Sequence, residues 1–163
     1  MRRLVPILLA SFALASPALA RDALGMFGAW GAFRDPAAAR CYAIAMAAPS
    51  QRAREYQPYA DVAWWPKQGI RGQFHMRLSR KLQSGAPIVL SIGGQRFNLV
   101  GGGGDAWAAD KRMDAAVIAA LRSASEMTVN ARGSDGTGFS NSYKLEGVAT
   151  AMDAAAVGCA AIR

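Results

Sequence analysis

His75 is the only histidine in the chain, and that fact bounds the chemistry more than any motif does. A metal site with several histidines cannot be built, nor can HExxH or an H-x-E signature with paired cysteines. A Ser-His-Asp or Cys-His arrangement would have to use His75. It falls on the polar side of an alternating segment with Gln73 and Arg77, and it reads as an exposed histidine in a basic strand. No G-x-S-x-G elbow is present. Asp105, Asp110 and Asp114 lie close in sequence, and glycoside hydrolysis needs two carboxylates across a sugar-sized gap. Asp110 and Asp114 suit the first turn of a helix better. Gly101–Asp105 (GGGGD) lacks the Lys and the hydroxyl of a phosphate-binding loop and reads as a loose turn. No catalytic, cofactor-binding or metal-binding residue is therefore expected. The tryptophans are Trp30, Trp64, Trp65 and Trp107. Core packing is expected for at least two of them. Trp64 and Trp65 are adjacent on a strand, face opposite sides, and so leave one candidate for a binding contact.

Cys41 and Cys159 are the two cysteines. They form no CxxC pair and are too few for a structural zinc site. In an exported chain of this size they read as one disulfide, which the chain-entropy model values at about 4–5 kcal/mol for a loop of over a hundred residues. Two free thiols or an intermolecular bridge are the alternatives. Export is itself an expectation. Residues 1–20 carry Arg2 and Arg3, an apolar run from Leu4 and a terminal Ala18-Leu19-Ala20. That is the form of a signal peptide cleaved before Arg21. The run falls short of the roughly 20 apolar residues of a spanning helix, and Pro6 and Pro17 interrupt it. No later stretch is long and apolar enough to span. The expectation is a single soluble domain over residues 21–163, in the periplasm or exported to the cell surface.

The formal net charge is +8, and it is uneven. Residues 40–96 hold nine Arg or Lys against Glu55 and Asp61 alone. Such a half suits an anionic envelope component, such as lipid headgroups or a phosphorylated glycolipid. Nucleic acid fits poorly, with no reader motif present. The expected binding surface combines Trp64 and Trp65 with Arg71, Arg77, Arg80 and Lys81.

These residues need elements to hold them. Met26–Ala32, Arg40–Ala47, Val62–Trp65 and Tyr143–Leu145 read as short strands. Gln73–Leu78 alternates cleanly, with Phe74, Met76 and Leu78 on one side. Ile88–Ile92 and Gln95–Val100 flank Gly93-Gly94, the spacing and composition of a two-residue hairpin turn. Asp110–Ser123 predicts a helix capped by Asp110, with Met113, Val117, Ala120 and Leu121 on one stripe. Glu126–Arg132 alternates again, and residues 133–142 read as a loop or turn. Gly147–Cys159 predicts an Ala-rich helix closing near Gly158. Residues 48–59 read as an exposed loop. Many short strands with one or two helices make a mainly β domain, a sandwich or closed sheet with helical additions.

The order of MFGAWGAF, RCYAIA, VAWWP, IVLSIGGQRFNLV, DAAVIAALRSASEMTV and YKLEGVATAMDAAAVGC resembles the invasion-associated locus B (IalB) family of small exported alphaproteobacterial proteins. Members often carry cysteines where this chain has Phe33-Arg34-Asp35 and Ala106-Trp107-Ala108, so their disulfide pattern does not transfer. The resemblance implies an immunoglobulin-like β-sandwich and an envelope-associated protein without known catalysis. The expected function is thus a non-enzymatic binding or interaction module whose partner is an anionic envelope component or another protein. The alternatives are a periplasmic hydrolase inhibitor presenting residues 48–59, and a hydrolase using a carboxylate pair.

Overall fold

Alternating apolar residues give this chain its strands, and an amphipathic segment and an Ala-rich apolar segment give its two helices. The computed structural model describes residues 21–160 and Ile162; the expected signal peptide lies outside the described residues. The strands are β1 (Asp22–Phe27), β2 (Trp30–Asp35), β3 (Arg40–Met46), β4 (Tyr59–Trp65), β5 (Ile70–Arg77), β6 (Ile88–Ile92), β7 (Gln95–Gly102), β8 (Asp105–Trp107), β9 (Glu126–Arg132) and β10 (Gly138–Lys144). Helix α1 (Lys111–Ser123) precedes β9, and α2 (Val148–Ala160) follows β10. Among the described residues, no helix is long and apolar enough to cross a membrane.

All pairings are antiparallel, in the order β1-β2-β3-β4-β5-β8-β7-β6-β9-β10. Strand β7 joins two halves. Its residues Gln95–Leu99 pair with β6, and Val100–Gly102 pair with β8. The far ends of the order also meet. The fully buried Trp30 donates its indole N–H to the Lys144 carbonyl at 2.9 Å, and Ala48 N–H donates to the Ser142 carbonyl at 2.8 Å. The sheet therefore curls until β10 lies against the β2–β3 side. One continuous hydrophobic cluster fills the space between, from Val62, Phe74 and Met76 to Leu90, Phe97 and Val129.

Helix α2 packs on the inner side of β1–β4. That side is paved with Ala32, Ala43, Ala45 and Ala60, and the helix answers with Ala151 and Ala155, all buried. Small side chains on both surfaces let backbone approach backbone closely. The Cys41–Cys159 disulfide is formed, with α-carbons 5.6 Å apart, and ties the last turn of α2 to the start of β3. Helix α1 is capped as its sequence predicts, with the Asp110 carboxylate accepting from Met113 N–H at 2.8 Å. Asp114 does more than complement the helix terminus. Strand β8 reaches only His75–Arg77 of β5, and the Asp114 carboxylate accepts the Phe74 N–H beyond it at 2.8 Å. A helix side chain thus completes a strand's hydrogen bonding where the neighbouring strand is too short.

Four expectations are corrected. Met26–Ala32 is not one strand: the chain turns at Gly28-Ala29, and β1 and β2 form a hairpin. Gly101–Gly104 is not a loose loop: β7 runs through Gly102 and turns tightly into β8, with Gly102 opposite Asp105. Strand β10 begins at Gly138 rather than Tyr143. Gly158 lies inside α2 instead of ending it, and a Cβ there would meet Leu24 of β1 at 2.5 Å. The Gly93-Gly94 turn is as expected, with φ of +53° and +86°. Gly72 has a special place too. The β4–β5 register shifts beside it, its φ is +86°, and a Cβ would sit 2.7 Å from Ile118 of α1.

Two stability results are expected. Replacing both cysteines by Ala should cost about 3–5 kcal/mol for a loop this long, read from urea unfolding with and without reductant. At Asp114, burial holds the carboxyl above its ordinary range, outweighing the bond from Phe74 N–H. The penalty for its charge is absent below the unfolded-state pKa and complete above the folded one. Asp114→Ala strands the Phe74 N–H and should lose about 1–3 kcal/mol at pH 7. Asp114→Asn keeps an acceptor without the charge and should unfold at or above the wild-type urea midpoint, with the two converging at low pH.

Candidate functional site

The residues with the richest chemistry converge on the outer side of β3–β5 and β8. Asp61 of β4 stands opposite His75 of β5. Its side chain is only 4% exposed, and its carboxylate accepts from His75 Nδ1 at 2.7 Å and from the Arg40 guanidinium at 3.1 Å. The other ring nitrogen, Nε2, lies 3.3 Å from the Asp105 carboxylate, which also pairs with Arg77. The result is one chain of alternating charge, Arg40–Asp61–His75–Asp105–Arg77, laid across four strands. Aromatic rings cover it. Arg40 lies over Tyr42 and within 5.2 Å of the Trp65 ring centroid, while Arg77 lies 4.0 Å over Tyr56. Trp107 leans on the His75 ring at 5.1 Å, and Tyr59 meets it edge-on. Burial pushes the Tyr59 phenol above its ordinary range, and the Asp61 and Asp105 carboxylates push it further.

This geometry decides what His75 can do. A neutral imidazole has one N–H, so only the imidazolium donates to both carboxylates. Its hydrogen bonds among the described residues go to Asp61 and Asp105 alone, and no hydroxyl or thiol there bonds either ring nitrogen. Among the described residues, no group of three or more His, Cys, Asp or Glu side chains is placed to hold a metal ion.

The network sits in a wider surface. Directly opposed residues in an antiparallel sheet point to the same side. One row runs Met26, Gly31, Ile44, Asp61, His75, Trp107, Val100, and the next runs Met46, Tyr59, Arg77, Asp105, Gly102. Met26, Met46, Val100 and Trp107 are exposed large apolar side chains, and all four belong to these rows.

The six residues expected to form one binding surface are distributed over the molecule. Trp65 covers one end of the charge network at Arg40, and Arg77 is its other end. Trp64 and Arg71 line a cleft of about 500 Å³ against the end of α2, beside Cys159. Arg80 lines another cleft with Arg52 and Arg54 and pairs with Asp135 at 3.1 Å. Lys81 is exposed, and its backbone N–H donates to Glu55. Trp64 and Trp65 are both half-buried, so neither projects freely as expected of one of them. His75 is likewise half-buried, its side chain 18% exposed, which corrects its reading as an exposed residue. Asp61, Asp105, Arg40 and Trp107 escaped the sequence reading as its partners. One signal was available for Asp61: an acid within a run that ends Val62-Ala63-Trp64-Trp65 is set for burial, and burial demands a partner.

A family model described as invasion associated locus B (IalB) protein matches residues 34–156. The chain belongs to this family. The IalB match runs from within β2 to within α2. It takes in every member of the charge network and Cys41, and ends before Cys159. Comparison with curated proteins and with solved structures gave no match.

The network should carry stability unequally. Asp61→Ala strands Arg40 and His75 beneath the rings and should cost about 3–5 kcal/mol. Asp105→Ala, at a position water reaches, should cost about 1–2 kcal/mol. Urea unfolding of the two variants at pH 7 checks the order.

Proposed function

We propose that this IalB-family chain is an exported, non-enzymatic interaction module of the cell envelope. We read its two halves as the layers of an immunoglobulin-like sandwich joined through β7, and its outer β3–β5–β8 side as the surface that holds a protein partner. One observation carries this reading: four exposed large apolar side chains share two adjacent rows with the aromatic-covered charge network. Scattered apolar side chains are ordinary on a protein surface, whereas a contiguous group marks an interaction site. The composition is that of an interface core, with Tyr, Trp, Met and Arg and neither Lys nor Glu in the two rows. The network adds rigidity. Its charges satisfy one another before a partner arrives, so docking on the rings orders little and leaves no charge unpaired.

The hydrolase alternative lacks this support. Asp61 and Asp105 face the same imidazole and line neither of the clefts of about 580 and 500 Å³. The inhibitor alternative keeps its candidate loop, residues 48–59, but no apolar anchor of that loop stands among the exposed large side chains.

The test is a chemical cross-linking series with the exported protein in envelope fractions. The wild-type chain should give a species of defined mass that saturates with protein concentration. Trp107→Glu and Val100→Glu should reduce it at least tenfold, and Val157→Glu, on the exposed side of α2, should leave it intact. Retention in all three variants, or equal loss with Val157→Glu, overturns the reading. A dimer of the purified chain alone that Trp107→Glu abolishes also overturns it, assigning the surface to self-association.

A further inference from the structure

A second site lies apart from the aromatic surface and shares no residue with it. Residues 50–54, Ser79-Arg80, Asn130-Ala131 of β9 and Gly138–Ser140 of β10 enclose a cleft of about 580 Å³. That is within the ordinary range for small-molecule sites, roughly 300–1,000 Å³. Its only charged lining residues are Arg52, Arg54 and Arg80. Each guanidinium is held by a carbonyl: Arg52 donates to Gly138 at 3.1 Å, Arg54 to Ala48, and Arg80 to Ala53 at 3.2 Å. The one acid engaged with them is Asp135, which pairs with Arg80 from outside the lining. Glu55, next in the loop, accepts from the Lys81 backbone N–H. Arg52 and Arg54 each have one N–H committed among the described residues and most of the five donors remaining. The floor is rigid. Ser79 and Asn141 are buried and bonded to each other twice, at 3.0 and 2.9 Å. Two buried polar atoms nearby have no partner among the described residues, Arg54 Nε and the Tyr143 hydroxyl. Ser50 and Ser140 add hydroxyls, and Phe139 and Ala131 add apolar wall.

We infer that this cleft binds a phosphomonoester carried on a sugar-sized group, with Arg52 and Arg54 as the principal ligands of the phosphate. A tetrahedral dianion presents several acceptor oxygens, and the planar guanidinium matches them two at a time. The cleft has room beyond the phosphate, and its hydroxyls and apolar wall suit the remainder of a small polar molecule. An expected anionic partner thereby gains an address, one built from the loop of residues 48–59 together with Arg80. The other five residues of the expected binding surface lie outside it. Free sugar phosphates and phosphorylated headgroups share this chemistry.

The probes are glucose 1-phosphate in solution and phosphatidylcholine vesicles with or without phosphatidic acid. Calorimetry on the exported chain should show saturable binding of glucose 1-phosphate at millimolar or lower concentration. Arg52→Gln should weaken it at least tenfold, and Ser140→Trp, which fills the cleft while keeping all three arginines, should abolish it. Lys81→Gln and Arg71→Gln should leave it unchanged. Thermal melts identify any variant that fails to fold, and Ser140→Trp and Arg52→Gln perturb the fold by different routes. Vesicle binding that requires phosphatidic acid and is displaced by glucose 1-phosphate assigns the ligand to a headgroup. Soluble binding without vesicle binding assigns it to a free phosphate ester. No soluble binding, or equal weakening by Lys81→Gln, overturns the site. Because Trp107→Glu leaves the cleft intact, its normal binding of glucose 1-phosphate separates this result from the fate of the protein-partner reading.

Discussion

The packing of α2 on the alanine-paved side of β2–β4, locked by the Cys41–Cys159 bond, is the constraint on which the rest of this structure depends. An antiparallel sheet has two sides. Once Ala32, Ala43, Ala45 and Ala60 are committed to the helix, the alternate residues Ile44, Tyr59, Asp61 and Trp107's neighbour His75 have only the outside left. The charge network therefore exists where it does because the helix occupies the other side. The disulfide acts at the one place where this arrangement needs help. Alanine contacts bury little area per residue, and no basic residue stands in the last turn of α2. A covalent tie to β3 supplies what apolar area alone gives weakly.

The outer surface joins two properties that usually conflict. Buried charges are costly unless each has a partner, and an apolar surface is costly unless it is covered. Here Asp61 is almost completely enclosed, yet it has both Arg40 and His75, and the rings of Tyr42, Trp65 and Trp107 shield the ion pairs from water. The same rings, with Met26, Met46 and Val100, leave an apolar surface outward. The charges of the network are paired, while the buried Arg40 Nε and Trp65 Nε1 have no hydrogen-bond partner among the described residues. Both ring nitrogens of His75 face carboxylates in this network, Asp61 at one and Asp105 at the other.

The helical and hairpin signals were legible because they are local. Asp110 caps α1 three residues from the Met113 N–H that donates to it, and Gly93-Gly94 makes a turn whose two ends are adjacent in sequence. The alternation of Phe74, Met76 and Leu78 likewise reports burial along one strand. Failures came where distant chain decides. Met26–Ala32 reads as one apolar strand until Gly28 is seen turning against Glu146. GGGGD reads as slack until β8 is found paired with β5, thirty residues away in sequence. Gly158 reads as a helix stop until Leu24 is found against it.

By itself, the sequence determined a mainly β chain with two helices, a single histidine that excludes most catalytic sets, and two cysteines that form no CxxC pair. It also carried the family, through short segments in a fixed order. The tertiary structure alone decided that His75 stands between Asp61 and Asp105, that Trp64 and Trp65 are both half-buried, and that Arg80 belongs with Arg52 and Arg54 rather than with Arg77. The reason is physical. Charge and burial are set by neighbours across strands, and a strand's neighbours follow from how the sheet is ordered and curled, which no local period in the sequence records.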